Sequence, residues 1–234
     1  VGHAAKATPL TLPMNVQLIT KQGEQGELPL SIPAERIGDQ VTAAGIPFAI
    51  AKDGKNALRL AGQTLTLKKD TRRLALLLSA DSNRILDFTV GGKTVPCSVL
   101  SRTRRFASWD LYDLHETAHI QEGQLGYVST HSHNADGTDA IAKELYFYIL
   151  ILNVQGGDTV VLPRDEETLV LAATELNTVV VPCATPLYDR VEDRPFDYTM
   201  RLGDKLRYLR MKLPWYMGDK GRYFSCYNRG RERE

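Results

Sequence analysis

The chain has 234 residues, of which 43% are apolar and 24% charged, and its formal net charge is +1. That composition supplies a substantial core for one generous domain and excludes a disordered polymer. No apolar stretch reaches the roughly 18 residues of a membrane span, and no charged start followed by an apolar run marks a signal peptide, so the chain reads as soluble.

It opens on VGHAAKATPL, without methionine, which points to cleavage or excision from something longer. LTLPMNVQLI (10–19) is the first predicted strand. IPFAI (46–50), ALRLAGQTLTL (57–67), RRLALLLSA (72–80), RILDFTV (84–90) and KTVPCSVL (93–100) follow. These segments are short, rich in Val, Ile, Leu and Thr, and bounded by Gly, Asn, Asp or Pro, the pattern of antiparallel strands. Gly91-Gly92 is a hairpin signal, because glycine accepts the positive φ of the primed turns. Later come GQLGYVST (123–130), ELYFYILILNV (144–154), DTVVLP (158–163) and TLVLAATEL (168–176), with Gly156-Gly157 as another turn. About ten strands in one run predict a sandwich or jelly roll.

In ELYFYILILNV, alternation sends Leu145, Phe147, Ile149 and Ile151 to one face and Tyr146, Tyr148, Leu150 and Leu152 to the other. Both rows are apolar, so something must cover the second face. A loop or the C-terminal segment of the same chain is one candidate, and a separate domain of a larger protein is the other.

After residue 177 the character changes. Leu202, Leu206, Leu209 and Leu213 recur at helical spacing and predict one amphipathic helix stopped near Pro214. Residues 201–234 hold ten Lys and Arg against four acids, leaving this tail at +6 and the rest at −5. The expected organisation is a β-sandwich over 1–182 and a basic, partly helical extension over 183–234. Arginine and tyrosine in the tail could serve phosphate backbones and bases. With no nucleic-acid fold around them, docking on the acidic body is favoured. The three cysteines, Cys97, Cys183 and Cys226, are too few and too far apart for a metal knuckle or a disulfide framework.

Chemistry concentrates in two places. THSHNADGTD (130–139) sets His131 and His133 one residue apart, with Asp136 and Asp139 behind. Three readings compete for the histidines: loop residues bonded to backbone, donors to a sugar, or metal ligands, which usually number three or four protein groups. Asp136 and Asp139 offer calcium oxygens at short spacing but lack the EF-hand series, so a turn is favoured. The second place is Trp109, with Asp110, Asp113 and His115. An indole face stacks on a pyranose while carboxylates take its hydroxyls, yet position alone favours a core anchor. Glu35, Asp110 and Asp113 as an acid–base pair have no spacing to support them.

The order of motifs is itself informative. LPMNVQLIT, SIPAERI, AAGIPFAIAKDGKNALRLAGQTLTL, RRLALLLSAD, FASWD, YVSTHSHNADGTD and VVLPRDEETLVLAATEL occur in sequence over about residues 10–176. In that order they resemble the β-sandwich region C-terminal to the catalytic part of bacterial α-mannosidases of glycoside hydrolase family 38. Ala107-Ser108 stands where "SD" is usual before Trp109, and LPRDEE replaces a plainer "LPD". HSHN also resembles the "HSHNDPGW" zinc motif of that family's catalytic barrel, but Ala135 stands at the aspartate and no tryptophan follows.

The resemblance implies an all-β, antiparallel sandwich of jelly-roll, galactose-binding-like type. It implies a non-catalytic accessory scaffold, with carbohydrate or a catalytic glycosidase domain as partner and neither nucleic acid nor membrane. The expected ligand contacts are Trp109, Asp110, Asp113, His131, His133 and Asp136; no catalytic residue is assigned. No cofactor is expected beyond calcium at Asp136 and Asp139, and a secreted or periplasmic setting is favoured. A self-standing glycosidase using loop carboxylates and an interaction module using the basic tail are the alternatives.

Overall fold

In the computed structural model the described residues are 7–104, 107–112, 115–120, 123–141 and 143–177. They form eighteen β-strands and no helix. In chain order these are β1 (Ala7–Leu10), β2 (Ile19–Thr20), β3 (Leu30–Pro33), β4 (Gln40–Ala43), β5 (Ile46–Ala49) and β6 (Leu58–Ala61). Next come β7 (Thr64–Thr66), β8 (Arg73–Ser79), β9 (Arg84–Val90), β10 (Lys93–Val99), β11 (Ala107–Tyr112) and β12 (His115–Ile120). The series closes with β13 (Gln124–Val128), β14 (Ser132–Asn134), β15 (Asp139–Ala140), β16 (Tyr146–Asn153), β17 (Thr159–Val161) and β18 (Arg164–Leu176).

The central sheet runs β1-β18-β8-β16-β13, with β6 also pairing with β18, and all its pairings are antiparallel. A second sheet, β10-β9-β17-β7, packs on one face. There Leu74, Leu76 and Leu78 of β8 and Leu152 of β16 meet Phe88, Val90, Val99 and Val160. The other face is covered by the N-terminal third of the chain. Ala75, Leu77, Phe147 and Ile149 pack there against Leu18, Ile19, Ile32, Ile46 and Phe48.

The chain itself therefore answers the question posed by the two apolar rows of β16. Leu145, Phe147, Ile149 and Ile151 lie in the second core and Leu150 and Leu152 in the first, so both faces of the strand are packed by the chain itself. The same holds for β8, where Leu74 to Leu78 are all buried. Burying each such leucine stabilises the fold by about 1.5–3 kcal/mol before conformational entropy is counted.

Two predicted strands differ in the structure. Within 10–19 only the ends are in strands, because Pro13 has no N–H to give a ladder. Asn15 substitutes with its side chain: Nδ2 donates to Arg59 O at 3.0 Å and Oδ1 accepts from Arg59 N at 2.7 Å. Residues 57–67 split into β6 and β7 at Gly62, whose φ of +81° turns the chain from the central sheet to the outer one. Gln63 bridges the corner, Oε1 accepting from Ala61 N and Nε2 donating to Arg59 O. The strands β3, β4, β11, β12, β14 and β15 were not expected. The predicted helix of 202–213 and the boundary at 182 fall outside the described residues.

Gly91 and Gly92, with φ of +53° and +79°, close the β9–β10 hairpin as expected. Gly156 serves a different need. A Cβ there would lie 1.7 Å from Lys69 O, so only glycine lets the two backbones meet. Gly156→Ala is expected to cost about 3 kcal/mol through that clash. Gly157→Ala, with open space around its Cβ but a φ of +88°, should cost only about 1 kcal/mol. Urea unfolding of the two variants checks the order, and equal costs would refute the backbone contact.

Candidate functional site

A cleft of about 300 Å³ opens where β6, the segment after β10 and the start of β18 come together. Its floor is apolar, formed by Leu28, Pro29, Leu30, Leu145 and Leu169. Its polar lining is Arg59, Asp81, Arg102, Thr103, Glu166 and Glu167. Arg102 is buried and anchored twice: it pairs with Asp81, and Nη1 donates to Glu167 O at 2.8 Å. Burial pulls its guanidinium below the ordinary value, while Asp81 pulls the other way. Arg84 alongside pairs with Asp165 at 2.8 Å and with Glu167.

Arg59 differs from both. Its Nε is buried and has no hydrogen-bond partner, although its positive charge acts on Arg102 across the cleft. A buried donor of this kind costs free energy until something accepts from it. Sequence reasoning missed Arg59 and Arg102. The available signal was a charge set between Leu58 and Leu60 in an apolar strand.

The histidine loop forms a second cluster. The turn Ala135-Asp136-Gly137-Thr138 folds β14 back on β15 and sets Asp139 opposite His133, while β14 pairs with β3 so that His133 faces Ser31. Glu35 follows β3 by two residues and is carried to the same spot. Ligand atoms of Glu35, His131 and His133 all lie within 4.8 Å of one another. His133 Nε2 is 3.2 Å from Glu35 Oε1 and 3.6 Å from Asp139 Oδ1, and His131 Nε2 is 3.9 Å from Asp139 Oδ1. The rings meet edge to face with centroids 5.7 Å apart.

The sequence-predicted residues divide accordingly. His131, His133 and Asp139 come together, joined by Glu35. Asp136 is instead a turn residue: its Oδ1 accepts from Thr138 Oγ1 at 2.6 Å and Thr138 N at 3.0 Å. Those bonds, the side-chain one first, hold its carboxyl below the usual carboxylate range. Asp139 thus neighbours two imidazoles, while Asp136 Oδ1 is engaged within the turn. Trp109 and Asp110 lie in β11, where they pair with Ala118 and Thr117 of β12. The structure describes only the backbone there, and Asp113 lies outside the described residues. Cys97 fits an inert core thiol, since burial, then Asp87, pushes its thiol up.

Residues 5–179 match the model of the AziU2-like beta-sandwich domain. The chain belongs to that family. The match spans all the described strands, both clusters included, and agrees with the all-β architecture of the AziU2-like domain. No curated protein matches the chain. The α-mannosidase likeness of this AziU2-like domain accordingly rests on the motif order alone.

Proposed function

We propose that this AziU2-like β-sandwich is a non-catalytic accessory domain that binds carbohydrate in the Arg59–Arg102 cleft and serves as a scaffold beside a catalytic unit. Arg59 carries the reading, because it brings a cationic donor group, whose Nε has no protein partner, to the lining of an apolar-floored cleft. Apolar floor and convergent polar rim are what a pyranose needs, one face for its C–H groups and donors and acceptors for its hydroxyls. The α-mannosidase likeness favours a jelly-roll, galactose-binding-like assignment and a glycosidase partner. The cleft's carboxylates speak for binding over hydrolysis. Asp81 and Glu167 are tied to Arg102 and Arg84, which leaves Glu166 of the lining acids, and a glycosidase needs both a free nucleophile and a free acid about 5 Å apart.

The test is a glycan array and calorimetry on the whole chain and on Arg59→Met. We expect glycan retention by the native chain and at least about a tenfold loss in the variant, the worth of a hydrogen bond from a charged donor. The variant's thermal midpoint should hold or rise, because methionine removes an unpaired donor. Aryl mannosides should not turn over. Equal glycan retention by the variant, or turnover abolished by one carboxylate substitution, would sink the reading.

A further inference from the structure

The histidine cluster makes its own case, independent of the carbohydrate reading. It begins with the hydrogen bonds behind His133, whose side chain is fully buried. Ser31 Oγ donates to the His133 carbonyl at 3.5 Å. Ser31 Oγ and Thr20 Oγ1 are hydrogen-bonded at 2.7 Å, and Thr20 Oγ1 is hydrogen-bonded to His133 Nδ1 at 3.0 Å. With Nδ1 engaged there, Nε2 is the ring nitrogen left for a ligand.

Around that nitrogen stand the carboxylate oxygens of Glu35 and Asp139, 3.2 and 3.6 Å away. Even so, the buried Nε2 makes no hydrogen bond in any direction. A cation shared by the ring and the acids would satisfy all three groups. His131 repeats the pattern, with Nδ1 3.0 Å from Thr130 Oγ1 and Nε2 3.9 Å from Asp139. Both rings thus have one nitrogen held by a threonine and the other beside the acids, as hydrogen bonds to the far nitrogen orient metal-ligating histidines.

We propose that His131 Nε2, His133 Nε2, Glu35 and Asp139 bind a divalent transition-metal cation, zinc by its chemistry. Two imidazoles exclude the all-oxygen preference of calcium and magnesium. Four protein ligands make a closed, tetrahedral, structural site. Bonds of about 2.0–2.2 Å place tetrahedral ligand atoms about 3.4 Å apart, so Glu35, His131 and His133, whose ligand atoms lie within 4.8 Å of one another, need a small contraction and Asp139 must swing in beside them. Glu35 and Asp139 have side chains 41% and 37% exposed and can supply that movement, while His133 stays anchored. Glu35 also lines a surface depression of about 440 Å³. Bound there, the ion joins the segment after β3 to the β14–β15 hairpin, about a hundred residues further along the chain.

The experiment uses the whole chain, stripped with a chelator and titrated with ZnCl2 by calorimetry and with CoCl2 by visible absorption. We expect one Zn2+ per chain, a tetrahedral Co2+ ligand-field spectrum displaced by zinc, and a zinc-dependent rise in thermal midpoint. Glu35→Gln and Asp139→Asn, at the surface and chosen to preserve folding, should each weaken zinc at least about tenfold. Asp136→Asn should bind like the native chain. Should His133→Ala fail to fold, Thr20→Val still tests the buried ring's orientation and should weaken zinc about tenfold or more. A native chain that takes up neither Zn2+ nor Co2+, or uptake unchanged in the Glu35→Gln, Asp139→Asn double variant, overturns the proposal.

Discussion

Asn56→Ala is expected to lower the free energy of unfolding by about 4 kcal/mol, the largest effect of any polar substitution in this domain. Asn56 is fully buried and uses all of its short side chain. Oδ1 accepts from Leu18 N at 2.8 Å and Ile19 N at 2.9 Å, and Nδ2 donates to Ile19 O at 2.8 Å and Lys52 O at 3.1 Å. Truncation removes four bonds and strands two amides where water cannot replace the carbonyl oxygen. Each stranded group costs about 1–3 kcal/mol.

Asn56→Asp keeps the acceptor but loses the donor and buries a charge against Ile19 O, so it should be nearly as damaging. Urea unfolding at unchanged m-value measures both, and a loss below about 1 kcal/mol would mean that the segment is held by other means. The same segment carries Thr20, which holds the ring of His133. Asn56 variants that still fold should therefore bind zinc less tightly than the native chain.

Leu76→Ala and Leu77→Ala should each cost about 3 kcal/mol, although the two side chains leave β8 on opposite faces. Leu76 enters the core shared with the β10-β9-β17-β7 sheet, and Leu77 the core shared with the N-terminal segments. Both are fully buried, so each truncation leaves a cavity that rigid neighbours on two sides fill only in part. A sheet with one face kept bare for another domain would behave differently. One of the two substitutions would then fall within about 0.5 kcal/mol of the native value, as surface changes do. Thermal and urea unfolding of the isolated chain distinguish these outcomes, and a large asymmetry would show that one face is not covered as described.

Much of the scaffold was legible because its signals are local. β8, β9, β10 and β16 are long enough for alternation and turn residues to declare them, and Gly91-Gly92 named its hairpin. The two apolar rows of β16 even implied a layer on each face. β3, β14 and β15 escaped because two to four residues, several of them polar, show no periodicity; they are strands only because partners remote in sequence supply the hydrogen bonds. The candidate sites were less legible still. His131, His133, Asp136 and Asp139 were singled out together, but Glu35 stood unconnected to them, and the turn favoured at Asp136 did not reveal its oxygen holding Thr138. Arg59 and Arg102 gave no sign of a shared cleft.

The amino-acid order by itself determined an all-β body with strands too apolar to leave a face wet, since side-chain alternation and turn chemistry act over a few neighbouring residues. Only the tertiary structure decided which charges meet. The pairing of β3 with β14 carries Glu35 to His133, and the packing of β6 beside β18 brings Arg59 to the cleft that Arg102 lines. Electrostatic and ligand-binding geometry depends on distances of a few ångströms between residues far apart in the chain, and no local pattern encodes such a distance.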